Sequence, residues 1–184
     1  MRYGMMMVAG MLAVAGQGFA ATQWAVDTAA SKLEWQASFN GQAVKGAFKT
    51  WTADIAFDEK ELAGSKIKVD IQLGSVDSGD DDRDGTLKGG DFFNVAATPV
   101  AVFESSHIVK EGNGYVADGT LTLAGVTKGV SLPFTLVIAN GKADAHGKLT
   151  LSRKEFGVGK GQWASSSEIG DSVDVLVNVK ATAK

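Results

Sequence analysis

The feature that most constrains the fold is an alternation of apolar and polar residues with a period of two. In the longest run, every second residue from Val130 to Ile138 is apolar. Successive side chains of a β-strand point to opposite faces of a sheet, so this pattern predicts strands with one apolar and one polar face. The same alternation occurs at 32–39, 66–73 and 173–180, and weaker versions occur at 46–57, 100–108, 115–123 and 142–151. The sequence therefore predicts an all-β fold of about eight strands.

Short turn sequences separate the predicted strands. Asn40-Gly41 and Asn140-Gly141 are typical of tight hairpins, because asparagine and glycine accept a positive φ. Connections this short join antiparallel neighbours, since parallel strands need long crossovers. Pro133 falls inside the longest run and indicates an edge position or a bulge. Residues 21–184 are predicted to form a single antiparallel domain, a sandwich or a barrel, with a short helix or two in its loops.

Small residues on the seventh predicted strand bear on what an eight-stranded barrel would contain. Ala143, Ala145 and Gly147 occupy its inward positions. The interior of such a barrel is either just filled by side chains or able to hold one small ligand. Large side chains from the other strands or a bound guest could fill the space beside these small residues, and the pattern leaves both possibilities open.

The first twenty residues have the composition of a cleaved signal peptide. Arg2 is followed by the apolar run Met5 to Ala15, and Gly18 and Ala20 are small residues at the positions that a signal peptidase reads. The run is shorter than the roughly 20 apolar residues that a membrane-spanning helix needs. We expect cleavage after Ala20 and a periplasmic location.

The absence of cysteine and the charge balance exclude several classes of protein. With no cysteine in the chain, neither a lipid anchor on a cysteine, a disulfide framework nor a thiol nucleophile is available. No stable membrane anchor is therefore expected. The formal net charge is −3, and the basic residues are scattered, which is not typical of a nucleic-acid-binding protein.

The sequence also gives little support to catalysis. His107 and His146 are the only histidines, and both fall at polar positions of predicted strands. Neither an H-E-x-x-H nor a G-x-S-x-G motif occurs in the chain. We therefore expect a protein that is not an enzyme.

The acidic segment at 80–91 raises the possibility of a calcium site. Asp80, Asp82 and Asp84 alternate as in a calcium-binding loop, and Asp91 falls at the twelfth position. Calcium loops more often have a bidentate glutamate there, and Arg83 lies within the acidic run. The favoured reading is a solvated acidic loop with Asp91 as the N-cap of a short helix that carries Phe92 and Phe93. A calcium-stabilised structural or interaction module is kept as the alternative function.

From Trp24 to Ala181 the chain resembles the YceI-like family of secreted bacterial proteins. The resemblance rests on the order and spacing of several short motifs across the whole domain. These are Trp24-Ala25-Val26-Asp27, Ser75-Val76-Asp77-Ser78-Gly79, Arg83-Asp84, Leu87-Lys88, Asp91-Phe92-Phe93-Asn94, Gly119-Thr120-Leu121-Thr122-Leu123 and Arg153-Lys154-Glu155-Phe156-Gly157. Thr86 stands where the family frequently has a histidine, which puts the preference for a lipid head group in doubt.

The resemblance implies a lipocalin-like antiparallel barrel with a long apolar tunnel. It also implies a bound lipid, such as a polyisoprenoid or a fatty-acid derivative, and a possible homodimer. Phe92 and Phe93 would cover the mouth of the tunnel, and Arg83 would meet an anionic head group. The residues expected to line the tunnel are Trp35, Phe39, Phe48, Phe57, Val69, Ile71, Phe103, Leu121, Phe134, Leu136, Ala143 and Ala145. The predicted function is the periplasmic binding or carriage of an apolar lipid without catalysis and with no cofactor besides the lipid.

Overall fold

The computed structural model describes residues 21–184, and the predicted signal peptide at 1–20 lies outside the described residues. It contains eleven β-strands and one α-helix. The strands are β1 (Gln23–Val26), β2 (Lys32–Phe39), β3 (Gln42–Phe48), β4 (Trp51–Ala56), β5 (Lys66–Gln72), β6 (Val76–Asp77), β7 (Val100–Glu111), β8 (Gly114–Leu123), β9 (Val126–Ala139), β10 (Lys142–Ser152) and β11 (Ser172–Ala183). The helix α1 spans Asp81–Lys88, and single 3₁₀ turns cover Leu62–Gly64, Leu73–Ser75, Lys154–Phe156 and Gly161–Ala164.

The eleven strands form a closed antiparallel barrel of eight. Three of the eight barrel strands are each divided into two segments. In the first, β1 and β2 both pair with β11. In the second, β4 pairs with β1 and β3 pairs with β2, and in the third, β5 pairs with β4 and β6 pairs with β3. The strands β7 to β11 are continuous, and each pairs with the next. Closure comes from β11, which pairs with β10 on one edge and with β1 and β2 on the other. The predicted all-β barrel of about eight strands is thereby confirmed.

The connections alternate between the two ends of the barrel. One end, here called the loop end, holds the hairpin at 40–41, the segment 78–99, the hairpin at 124–125 and the segment 153–171. The opposite end holds the segment 57–65 and the hairpins at 112–113 and 140–141. Asn40 and Gly41 have φ of 48° and 75°, and Asn140 and Gly141 have φ of 52° and 71°. Two consecutive positive φ values are those of the turn that joins twisted strands in two-residue hairpins, as these sequences predicted.

The helix α1 lies in the segment predicted to be an acidic loop. Asp80 is its N-cap, and its Oδ1 accepts a hydrogen bond of 2.9 Å from the backbone N–H of Arg83. Carboxylates in the first helical turn are favourable because the free N–H groups there carry a partial positive charge. The sequence predicted Asp91 as the N-cap of a short helix carrying Phe92 and Phe93, and this prediction was wrong. The helix ends at Lys88, and Phe92 and Phe93 lie in a turn. Within residues 21–184, no helix has both the length and the apolar composition needed to cross a bilayer.

Candidate ligand cavity

The barrel encloses an apolar cavity of about 270 Å³. Every barrel strand contributes to its wall, because the period-two alternation directs the apolar face of each strand inward. Arg153 is the only charged residue among those that line it, and the others are aliphatic, aromatic or glycine. A space with this lining excludes charged groups and accommodates hydrocarbon.

Eleven of the twelve residues predicted to line a tunnel do line this cavity. They are Trp35, Phe48, Phe57, Val69, Ile71, Phe103, Leu121, Phe134, Leu136, Ala143 and Ala145. Their contact with a lipid stays a prediction.

Phe39 is the exception among the predicted lining residues. Its side chain is 43% exposed, and it does not line the cavity. Phe39 is the last residue of β2 and directly precedes the hairpin at 40–41, so the strand has already reached the rim of the barrel. Ile169, which forms a backbone bridge with Phe39, lines the cavity instead. The alternation correctly predicted the face of the strand but not where the barrel wall ends.

The cavity extends along the wall formed by β10 and β11. All five inward positions of β10 from Ala143 to Leu151 are half-buried, as are Val173 to Val177 on β11. Elsewhere in the interior, the large side chains of Leu33, Trp35 and Phe103 are buried. Small side chains at Ala143, Ala145 and Gly147 leave part of the interior beside β10 unfilled.

The loop end of the cavity is covered by two aromatic residues. Phe92 and Phe93 are buried and line the cavity, as expected for residues that cover its mouth. The ring of Phe93 lies 5.8 Å from that of Phe48, and the ring of Phe92 lies 5.8 Å from that of Trp163. The carbonyl oxygen of Asp91 accepts hydrogen bonds from the backbone N–H groups of two residues in the 153–171 segment, Gly159 and Lys160. The two long segments therefore form one joined cover.

Arg153 organises the 153–171 segment and was not singled out from the sequence as a functional residue. The residue is 4% exposed, and its guanidinium donates hydrogen bonds of 2.9–3.1 Å to six backbone carbonyl oxygens. The acceptors are Val158, Gly159, Trp163, Ser165, Ile169 and Gly170. A guanidinium has five N–H donors, so none remains free for a ligand. Burial lowers the pKa of Arg153, whereas the carboxylate of Asp171 opposes this shift.

Arg83 does not occupy the position expected for a residue that meets a head group. It lies on α1, where Nε donates to Ser78 Oγ and Nη2 donates to the carbonyl oxygen of Ser78. Its Nη1 lies 3.9 Å from Asp80 Oδ2. Arg83 does not line the cavity, and Thr86 donates to the carbonyl oxygen of Asp82 on the exposed side of the helix. Leu87 is the residue of α1 that lines the cavity.

The calcium alternative receives no support from the structure. Asp80, Asp82 and Asp84 begin a helix, where side chains two residues apart point in different directions instead of converging on one ion. Asp84 accepts hydrogen bonds from the backbone N–H and the hydroxyl of Ser78. Across residues 21–184, no group of three or more histidine, cysteine, aspartate or glutamate side chains is placed to hold a metal ion.

An aromatic cluster closes the opposite end of the barrel. Tyr115 packs edge-on against Phe57 at 5.2 Å between ring centroids and stacks on Phe134 at 5.5 Å. Trp24 Nε1 donates a hydrogen bond of 3.0 Å to the carbonyl oxygen of Phe57, and Tyr115 donates one of 2.7 Å to Glu59 Oε1. Burial and the neighbouring carboxylate raise the pKa of Tyr115 to about 12. Both ends of the cavity are thus closed by side chains held in place by hydrogen bonds.

A closed antiparallel barrel of eight strands around an apolar cavity defines a class of lipocalin-like barrels. Within that class, the chain belongs to the YceI-like domain family, whose sequence profile matches residues 24–181. It is 35% identical over 141 residues to a UPF0312 protein of Pseudomonas aeruginosa, which covers 73% of this chain and 72% of that protein. It is also 45% identical over 87 residues to a UPF0312 protein of Yersinia pestis, covering 47% and 45% of the two chains.

Solved structures share the same fold. BcnA of Burkholderia cenocepacia superposes with a TM-score of 0.83 at 31% identity, over 86% of this chain and 100% of that chain. The YCEI protein of Campylobacter jejuni superposes with a TM-score of 0.69 at 29% identity, over 77% and 85%. A polyisoprenoid binding domain from Saccharophagus degradans has a TM-score of 0.70 at 19% identity, over 89% and 99%, and this likeness concerns the fold alone.

Proposed function

We propose that this protein binds one long apolar chain inside its barrel, without covalent chemistry, in the periplasm. The observation that carries the proposal is the lining of the cavity, in which Arg153 is the single charged residue and all its N–H groups already donate to carbonyl oxygens. The export part of the proposal is supported by the sequence pattern at 1–20.

The lining indicates an uncharged, hydrocarbon-like guest. The only buried side-chain donor without a hydrogen-bond partner among the described residues is Trp35 Nε1. An ionised head group inside the cavity would lose its hydration without gaining partners, which is strongly unfavourable. The hydrocarbon part of a lipid is therefore expected inside and any charged head group outside. A polyisoprenoid or a fatty-acid derivative meets this requirement, and the polyisoprenoid binding domain from Saccharophagus degradans, which shares the fold, supports the former.

Burial of hydrocarbon is sufficient to drive such binding. Each methylene group removed from water contributes about 0.8 kcal/mol. Part of this gain is offset by the cost of ordering a flexible chain. The cavity of about 270 Å³ lies just below the roughly 300–1,000 Å³ typical of ligand sites. We expect the leucine and isoleucine side chains of the wall to change rotamer when a longer guest is bound.

Native mass spectrometry followed by denaturing mass spectrometry tests the proposal directly. The exported protein, purified without detergent, should carry an additional mass under native conditions that is lost on denaturation and extracts into organic solvent. The denatured mass also reports whether cleavage occurs after Ala20, and the native mass reports whether the protein is the homodimer that the family resemblance implies. The absence of both a co-purified lipid and binding of an added long-chain isoprenoid would overturn the proposal.

A pair of matched variants locates the binding site. Ala145→Phe places a large side chain in the open part of the cavity and should weaken binding of a fluorescent long-chain fatty acid by about tenfold or more, since the lost space excludes several methylene groups. Val137→Phe is the control, because Val137 is 67% exposed on the outer face of β9. Equal binding by the two folded variants would place the guest somewhere other than this cavity.

A further inference from the structure

The strands β9 and β10 are paired over only part of their length. Residues Lys142–Gly147 of β10 pair with residues Phe134–Ala139 of β9. Beyond Gly147, β10 continues to Ser152 in pairing with β11, and the first part of β9, Val126 to Pro133, pairs with β8. No pairing between β9 and β10 extends past Phe134 and Gly147 in the described part of the chain. We call the boundary between 126–133 and 148–152 the seam.

Two residues explain why the ladder ends at this level. Pro133 has no N–H to donate to a neighbouring strand, and the β9–β10 ladder stops at the next residue, Phe134. At Gly147, an added Cβ would lie 3.1 Å from Leu132 Cδ1 and 3.2 Å from the carbonyl oxygen of Pro133. The strands thus approach closely at Gly147 and then lose their backbone hydrogen bonds.

The seam leads from the outer surface to the cavity. On the inside, Leu132 of β9 and Leu149 and Leu151 of β10 flank it, and all three are half-buried and line the cavity. On the outside, a surface concavity over β8, β9 and β10 reaches the end of the ladder, where Pro133, Phe134 and Lys148 contribute to its lining. Phe134 lines both the concavity and the cavity. Along the seam, apolar side chains rather than a hydrogen-bonded ladder separate the cavity from solvent.

The two ends of the barrel are closed more firmly than the seam. Opening the loop end would break the two hydrogen bonds to the carbonyl oxygen of Asp91 that join its two long segments, and it would separate the ring contacts of Phe92 with Trp163 and of Phe93 with Phe48. Opening the opposite end would separate the Tyr115 cluster and its bond to Glu59. At the seam, the turn that carries Phe156 contacts β9, and Phe156 is 1% exposed and lines the cavity. Side-chain contacts can rearrange without leaving buried polar groups unpaired, so the seam opens at the lowest cost.

We propose that an apolar chain enters and leaves the cavity sideways through the seam, with Phe156 filling the opening when no chain passes. This inference rests on the proposed binding of an apolar chain in the cavity. It assigns to Pro133 and Gly147 the role of ending the strand pairing, and to Leu132, Leu149 and Leu151 the role of an apolar passage.

A reversible cross-link across the seam tests the proposal, and the absence of cysteine makes the chain a clean background. If the register of Gly147 and Phe134 continued, Thr150 would lie opposite Ser131, and both are exposed. The variant S131C/T150C would be bridged with a bis-methanethiosulfonate reagent. The matched control V137C/D144C joins the same two strands at residues that are already paired. Uptake of the fluorescent fatty acid cis-parinaric acid by delipidated protein is followed by stopped flow.

Bridging the seam should slow uptake by about tenfold or more, and reduction of the bridge should restore the rate. The control bridge should leave the rate within about twofold of that of the unbridged variant. Equal uptake by the two bridged variants would overturn the seam as the route while leaving binding itself intact. A wild-type protein that binds no long-chain probe would instead refute the proposed function on which the inference rests.

Hydrogen exchange on the unmodified protein provides a second measurement that depends on no variant. Amides of 148–152 should exchange faster than those of 142–147 on the same strand, β10, because only the latter are paired on both edges. Equal protection of the two stretches would show that the seam is closed in solution, and it would overturn the proposal even if the cross-link failed to form.

Discussion

The indole of Trp35 lies directly over Gly46, its register partner on the neighbouring strand. A Cβ atom on Gly46 would come 2.6 Å from Trp35 Cε2 and 2.8 Å from the carbonyl oxygen of Asp77. Real Cβ atoms do not approach other atoms this closely, so any side chain at position 46 must displace the indole that forms part of the cavity wall. The width of the cavity on this side therefore depends on a residue that does not itself line it.

Gly46→Ala should destabilise the fold by about 1–3 kcal/mol because it overpacks a filled part of the barrel. Urea denaturation followed by tryptophan fluorescence measures the loss. Gly85→Ala is the control: Gly85 lies in α1 with nothing within 4 Å of an added Cβ, and alanine should stabilise the helix by about 0.5–1 kcal/mol. A stable Gly46→Ala protein with an unchanged emission spectrum would contradict the contact.

Arg153→Lys should destabilise the protein by about 3 kcal/mol or more. Lysine has three N–H donors and cannot reach six carbonyl oxygens, and each buried acceptor left without a partner costs about 1–3 kcal/mol. The control is Arg83→Lys, where the side chain is 38% exposed and the expected loss is about 1 kcal/mol or less. Chemical denaturation of both variants checks the difference, and equal losses would show that the carbonyl cluster is not what holds the 153–171 segment.

The free energy of unfolding should fall between about pH 10 and pH 12 as Tyr115 loses its proton. The pKa of Tyr115 is raised to about 12 in the folded protein, so the folded state retains a proton that the unfolded chain has already released. The stabilising contribution is complete below about pH 10 and is lost as the pH rises through 12, with a total of about 2–3 kcal/mol.

Tyr115 can be titrated on its own, since Tyr3 is the other tyrosine and lies in the predicted signal peptide. For a protein beginning at Ala21, the tyrosinate absorbance should therefore rise in one step well above pH 10. Tyr115→Phe should remove the step and this part of the alkaline loss of stability. A step near the ordinary pKa of tyrosine would show that the phenol is open to solvent and not buried against Phe57.

Asp80→Ala should cost about 1 kcal/mol through loss of the N-cap of α1. Asp82→Ala is the control, because its carboxylate contributes only to the charge in the first turn, worth about 0.3–1 kcal/mol. Thermal melts of both variants and of the unaltered protein, with and without calcium, provide the measurement. A rise in melting temperature with calcium that Asp82→Ala abolishes would contradict the helical assignment of 81–88.

Properties that repeat along the chain could be predicted from the sequence. Alternation decides which face of a strand is buried, and eleven of the twelve predicted lining residues accordingly face the cavity. Phe39 was placed wrongly because alternation does not report where a strand passes the rim of a barrel. Such a boundary depends on neighbouring strands that are distant in sequence, here on the pairing of Phe39 with Ile169.

The acidic segment was predicted to be a loop, but its residues form the start of a helix. Asp80, Asp82 and Asp84 have the spacing of a calcium loop, but the same residues are also good starters of a helix, and the Ser78 and Arg83 contacts favour the helix. Arg153 was missed because its partners are backbone carbonyl groups, which no side-chain pattern reveals. The signal that could have identified it is the glycine series Gly157, Gly159 and Gly161, whose positive φ values of 63°, 77° and 58° allow a chain to curl around one cation.

The pairing of β11 with β1 has a consequence for how the barrel forms. Trp24 pairs with Ala183, so the wall is completed by contacts between residues near the two ends of the described chain. Bringing together residues so distant in sequence costs conformational entropy, which is offset only once the strands pair. Proteins dominated by such distant pairings fold slowly. The meander from β7 to β10, built from neighbouring hairpins, is expected to assemble first. The cavity comes into existence only in the last step, when β11 joins the strands from the beginning of the chain.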